Sequence, residues 1–122
     1  MLTIPQQLTE IYNNEEWWHT TRMSYSDALR YHDDRHKKGF IHVYEENGEV
    51  LGYYERYIIG DTCFLHNVYI RPEHRRGKVF KSLYRHFFDT MPEGVIKIVG
   101  TKQKIDGKLT ERFIKGARYG NH

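Results

Sequence analysis

The chain has one cysteine, Cys63, among 122 residues, so an internal disulfide is excluded and no framework of bridges holds the fold. Nor does it contain an apolar run approaching the roughly 18 residues that a membrane-spanning helix needs. The first residues lack a basic segment followed by an apolar one. That argues against a secretory leader and for an intracellular, cytoplasmic protein with no membrane partner. Charge of one sign is also scarce: 19 Lys and Arg stand against 16 Asp and Glu, a formal net charge of +3. The small excess gathers in residues 71–85 and in the C-terminal third, which favours a local anion site over general nucleic-acid binding. Cys63 itself falls inside a strand-like run and reads as a small buried hydrophobe rather than a reactive thiol.

What is present suits one compact domain over residues 1–122: 39% of the chain is hydrophobic and 15% aromatic, enough for a core. The chain is organised around residues 63–83. Residues 63–70 are rich in β-branched and aromatic side chains, Pro72 stops further ladder pairing, and from Val79 the apolar residues switch to helical spacing. A strand therefore becomes a helix across a short basic turn. Such a turn aims the unbonded N–H groups of the helix's first turn, and the positive end of its dipole, at whatever lies off the strand end. Arg75, Arg76 and Lys78 add full charges there, and an anion is the natural guest.

Ahead of this turn, residues 5–18 read as a helix, with Pro5 in its first turn, Leu8, Ile11 and Tyr12 at helical spacing, and Trp17 and Trp18 closing it on the core. Ser24 and Asp27 resemble a capping box that opens a second helix over 24–39, ended by Gly39 and anchored by Tyr25, Ala28 and Leu29. His32 and His36 stand four apart on it, a spacing that can present two imidazoles to a metal. The residues between them, Asp33-Asp34-Arg35, lack the glutamate of the metalloprotease motif, and no third ligand is identifiable. A solvated helix face without a metal is the expectation. Strands over 40–44 and 49–59 meet at Asn47-Gly48, a type I′ hairpin signal. The second carries Tyr53, Tyr54 and Tyr57, two of them on opposite faces, so that at least one lines a cleft or an interface unless all serve the core. Gly60-Asp61 turns the chain into a strand over 62–70, completing an antiparallel meander. A helix follows over 79–91 with an apolar stripe from Val79 to Met91, then a strand over 95–99 parallel to 62–70. A turn at Asp106-Gly107 and a helix over 109–117 complete the pattern.

The run Tyr69-Ile70-Arg71-Pro72-Glu73-His74-Arg75-Arg76-Gly77-Lys78 resembles the acyl-CoA-binding segment of the GNAT superfamily of N-acetyltransferases, in which a strand ends in V-x-P-x-x-R and runs into a Gly-rich loop and helix. Residues 43–53 are similar to the hairpin that precedes that segment, so the resemblance covers about residues 40–101. The match is divergent. Counted from Pro72, the family's R/Q-x-x-G-x-G/A falls on Arg75, Lys78 and Phe80, so both small residues are replaced and Gly77 sits one place early. Phe80 is expected to crowd the backbone's approach to a pyrophosphate.

The resemblance implies an α/β (α+β) fold, a GNAT-like mixed, mainly antiparallel sheet flanked by helices and truncated at both ends. It lacks a convincing first strand and the two last strands that wall the acceptor pocket. The resemblance also implies acetyl transfer from the co-substrate acetyl-CoA to a small-molecule or protein amine. Tyr69 and Ile70 would contact the pantetheine arm through backbone groups, and Arg75, Arg76, Gly77 and Lys78 the pyrophosphate. The general base would fall near His66, whose imidazole suits the role, with a histidine on a sheet face as the alternative. For the general acid, Phe113 and Ile114 occupy the usual places, and Tyr119, some residues late, is the remaining candidate. Two other classes stay open: a non-catalytic protein of this fold serving a viral or regulatory assembly, as homo-oligomer or assembly partner, and a nucleic-acid surface made of the turn's arginines with Lys81, Arg85, Lys102, Lys104 and Lys108.

Overall fold

The computed structural model describes residues 1–14, 23–100 and 107–120, with 116–120 by backbone alone. Four strands, β1 (Ile41–Glu46), β2 (Glu49–Ile59), β3 (Thr62–Ile70) and β4 (Lys97–Gly100), form one sheet in that order. The first three are antiparallel neighbours, and β4 runs parallel to β3. Four α-helices accompany them: α1 (Ile4–Asn14), α2 (Tyr25–Lys37), α3 (Lys78–Asp89) and α4 (Gly107–Gly120). Strands β2 and β3 fall at the expected bounds. The other boundaries move by a few residues, as they do when fraying ends rather than periodic interiors decide them. The expected end of the first helix, with Trp17 and Trp18, lies outside the described residues, as do Lys102, Lys104 and Asp106. Among the described residues no helix is long and apolar enough to cross a membrane.

Local chemistry accounts for the turns. Asn47 and Gly48 take φ of 53° and 82°, the left-handed pair that the two-residue hairpin demands. Ser24 Oγ accepts from the Asp27 N–H at 3.2 Å and caps α2, and Gly39 closes that helix at a φ of 80°. The anchors of α2 differ from expectation. Ala28 and His32 are buried one turn apart, while Tyr25 is 45% exposed at the first position of the helix. His32 faces α1, its Nδ1 3.1 Å from Thr9 Oγ1, so it packs between the helices instead of lying on a solvated face.

The alternation of β2 divides the core. Tyr53 joins Leu8, Ile11, Ile41 and Val50 in a cluster that includes α1. Tyr54 joins Val68, Ile70, Leu83, Phe87 and Phe113 in a larger one that includes α3 and α4. Phe87, fully buried, meets Tyr54 and Phe113 edge to face at 5.1 and 5.2 Å between ring centroids. Cys63 belongs to this cluster, and burial pushes its thiol up to about 11, as suits a hydrophobe. Helix α3 lies so close over Gly52 that a Cβ there would stand 3.1 Å from the Leu83 and Val79 side chains and 3.0 Å from the Tyr69 carbonyl oxygen.

Two irregularities shape the sheet. Tyr44 pairs with Gly52 but Glu45 with Val50, leaving Leu51 over; Glu55 pairs with Asn67 but Arg56 with Leu65, leaving His66 over. His66 is thus the extra residue of a bulge, a feature that re-aims a side chain. Among the described residues the parallel β3–β4 pairing is followed from Thr62↔Lys97 as far as Leu65↔Gly100.

Candidate active site

The turn after β3 is built by backbone and arginine together. Arg71 Nε donates to the Val50 carbonyl and Arg75 Nε to the Ile70 carbonyl, each at 2.8 Å, so both side chains hold the strand end in place. Residues Pro72–His74 form one 3-10 turn, and Gly77, in extended conformation, becomes the N-cap of α3. The first intrahelical bond runs from the Lys81 N–H to the Gly77 carbonyl at 3.4 Å, so the N–H groups of Lys78, Val79 and Phe80 point off the helix start.

Beside this helix start opens a cleft of about 400 Å³ whose charged lining is Arg75, Arg76, Lys108, Arg112 and one acid, Glu73. Lys108 and Arg112 come from the first turns of α4. Neither α3 nor α4 carries an acid in its first turn. Exposed cations at a helix N-terminus oppose the dipole by about 0.3–1 kcal/mol each. Four cations on one cleft, two of them on the first turns of α4, form an arrangement that a polyanion relieves.

The sequence-derived phosphate residues therefore divide. Arg75 and Arg76 line the cleft, and Gly77 caps the helix beside it. The Lys78 ammonium turns away to Glu46 on β1, 2.5 Å distant, and can serve the cleft only through its N–H. The Ile70 carbonyl, expected to meet a pantetheine arm, already accepts from Arg75, and the Arg75 guanidinium lies 5.8 Å from the Tyr69 ring centroid. Phe80 points at α4, edge-on to Phe113 at 5.6 Å, with the Arg112 guanidinium 5.7 Å from its ring centroid. It is a wedge between the helices and a platform for Arg112. Lys108 appeared in the sequence only within a nucleic-acid surface, and Arg112 was missed, since nothing in sequence brings α4 to the turn.

A second cleft, of about 450 Å³, opens on the α1–α2 face of the sheet. Its floor is Glu55, 2% exposed. The hydroxyls of Tyr31 and Tyr57 both donate to Glu55 Oε2, and among the described residues no donor reaches Oε1 and no cation lies within ion-pair distance of the carboxylate. Burial, and after it Glu55, raises the Tyr31 phenol above its ordinary value, and the same two causes raise Tyr57. Both phenols thus keep their protons and donate. Arg35 Nε donates to the Tyr57 hydroxyl at 3.3 Å, while its Nη1 pairs with Asp34 at 2.7 Å. Asn67 Nδ2 donates to the Tyr53 hydroxyl at 2.9 Å. His66, half-buried on its bulge, lines the same cleft with its ring edge-on to Tyr57 at 6.1 Å. Burial lowers the pKa of His32, which also lines it. The backbone of Tyr119 lies in α4, and its side chain is outside the described residues.

The sequence named His66 as a candidate and set at least one of Tyr53, Tyr54 and Tyr57 on a cleft or interface; Tyr53 and Tyr57 line this one with His66, while Glu55 and Tyr31 were not among its candidates. The available signal was the alternation Tyr53-x-Glu55-x-Tyr57, which sets a carboxylate between two aromatic rings on one face of a strand. Both clefts draw on β3 and the turn after it: His66 and Asn67 line one, and residues from Pro72 onward line the other.

The fold is that of a known class. The chain matches the family model of the GNAT acetyltransferases over residues 6–103, and it belongs to that family. The diaminobutyrate acetyltransferase of Paenibacillus lautus, solved with L-2,4-diaminobutyric acid and coenzyme A, superposes with a TM-score of 0.64 at 16% identity, over 92% of this chain and 67% of that one. A ribosomal-protein-alanine N-acetyltransferase of Brucella melitensis gives a TM-score of 0.60 at 17% identity, over 93% and 74%. A Salmonella typhimurium protein solved with acetyl-CoA gives 0.53 at 19% identity, over 93% and 69%. No curated protein sequence matches the chain. At these identities the likeness is one of fold.

Proposed function

We propose that this protein transfers an acetyl group from acetyl-CoA to an amine. The observation that carries the reading is the basic cleft, where Arg75 and Arg76 of the turn before α3 line one pocket with Lys108 and Arg112 from the first turns of α4. A CoA molecule's phosphates match that charge, so the residues present fit the group at its phosphate end. Acetyl-CoA would supply the acyl group as a thioester, and the net exchange turns an ammonium and a thioester into an amide, a thiol and a proton. On the protein's side, backbone groups of Tyr69 and Ile70 at the end of β3 would meet the pantetheine arm, with the Ile70 carbonyl shared with Arg75. His66, aimed by its bulge into the second cleft, takes the proton that the acceptor nitrogen must lose before it can attack.

A second reading, binding without catalysis, is favoured by Phe80. It fills the position where the family keeps a small residue and packs on Phe113. Calorimetric titration with acetyl-CoA and with CoA tests the first reading. One-to-one binding of both supports it, and absence of binding to either sinks it.

A further inference from the structure

We infer that the cleft over Glu55 selects a small monocationic primary amine, one that carries an ammonium and no carboxylate, and holds that ammonium on Glu55 Oε1. The inference names the acceptor class for the transferase reading and rests on it for catalysis, though not for binding.

Glu55 is buried, and a buried carboxylate is stable only when paired or fully hydrogen-bonded. Its two phenol donors both go to Oε2, so among the described residues Oε1 is the oxygen left for a guest in the cleft that Glu55 lines. Among the described residues the cation of the wall is already engaged. The Arg35 guanidinium holds Asp34, a carboxylate it shares with Lys38, donates to Tyr57 and lies over the Tyr31 ring at 4.4 Å, so its Nε and Nη1 are occupied. His32, with its pKa lowered by burial, sits against Thr9. Of the remaining wall, the rings of Tyr12, Tyr31, Tyr53 and Tyr57 present π-faces or edges that tolerate a cation better than an anion. Oε1 is therefore the acceptor that the cleft leaves for a cation, on a wall that also carries the His66 imidazole.

The test is calorimetric titration of the intact protein with three probes of one shape: benzylamine (a cation), benzyl alcohol (its neutral counterpart) and aminomethylbenzoate (a zwitterion). It is run without CoA and repeated with saturating CoA if CoA binds. Benzylamine is expected to bind at least about tenfold tighter than either other probe, a difference of about 1.4 kcal/mol. Glu55→Gln, whose side-chain carbonyl can still accept from both phenols, should abolish that preference while leaving the melting temperature near wild type. If Glu55→Gln does not fold, Tyr57→Phe takes its place and should weaken benzylamine several-fold. Equal binding of amine and alcohol, tighter binding of the zwitterion, a preference that survives Glu55→Gln, benzylamine binding unchanged in Tyr57→Phe where that variant stands in, or no binding of benzylamine under either condition would each overturn the inference. Failure to bind CoA would sink the transferase reading alone, and benzylamine binding without it would leave Glu55 as a cation site.

Discussion

The two clefts differ in almost every physical respect. The phosphate-sized one is exposed, carries four cations against one acid, and draws its charge from helix starts and long flexible side chains. The other rests on a carboxylate that is 2% exposed and fixed by two phenols. An exposed cluster of cations offers attraction that salt can screen, whereas a buried carboxylate in a shaped aromatic cleft offers selection that salt barely touches. On the proposed reading the two divide the labour: the basic cleft would collect a polyanion, and the cleft over Glu55 would discriminate among small guests.

The largest expected effect strikes the scaffold beneath both clefts. Phe87 is fully buried between Tyr54 and Phe113, so Phe87→Ala should cost about 3–5 kcal/mol in denaturant unfolding. A loss below about 0.5 kcal/mol would mean that the α3 stripe faces a partner instead of the sheet.

Next in size is the charge of the basic cleft. Arg75→Ala and Arg112→Ala should each weaken CoA by about 1.5–3 kcal/mol, the range for a hydrogen bond to a charged group. Raising the salt concentration should erode CoA binding while leaving benzylamine binding nearly constant. Equal salt sensitivity at the two clefts would break the comparison.

A smaller effect belongs to the hairpin that sets the register of β1 on β2. Gly48 has a φ of 82°, so Gly48→Val should destabilise by about 1 kcal/mol or more. The Met1 side chain that a Cβ would meet is flexible and adds little. An unchanged melting temperature would contradict the assigned turn.

The smallest is a pH effect remote from both clefts. His42 and His86 stack at 3.4 Å with the Tyr54 hydroxyl 2.7 Å from His86 Nδ1. Burial, then His86 and Arg56, lowers His42 from 6.5 to about 4, and burial with Arg56 lowers His86. Folded, these imidazoles bind protons less readily than unfolded, so the unfolded chain takes up protons first as the pH falls through 6.5. The stability is present above that value and is lost progressively down to about 4. His42→Gln should flatten the fall of Tm over this window, and a slope unchanged from wild type would remove the pair from the account.

How much of this was legible in the sequence follows from how each part is built. The hairpin, β2, β3 and the basic turn are written in contiguous residues with local rules: Asn47-Gly48 for φ, Pro72 for the end of the ladder, and Val79 onward for the helical stripe. Arg75 and Arg76 could therefore be placed at a cleft from the sequence alone. Glu55 could not, because its partner Tyr31 lies 24 positions away on α2. The bulge that re-aims His66 is a mismatch of pairing between two strands, visible in neither strand alone. Phe80 was read against the family's small residue, while its role is set by Phe113 and Arg112 on a helix that the sequence does not dock. Lys78 looked like a phosphate ligand by its position in the turn, yet the hairpin brings Glu46 within reach of it.

The most direct measurement of the central claim, that the two clefts are halves of one acyl-transfer site, is release of free thiol from acetyl-CoA in the presence of benzylamine. The account predicts release that needs both compounds, falls steeply in Arg112→Ala at limiting acetyl-CoA, and falls at limiting benzylamine in Glu55→Gln. Binding of both compounds without amine-dependent thiol release would contradict it.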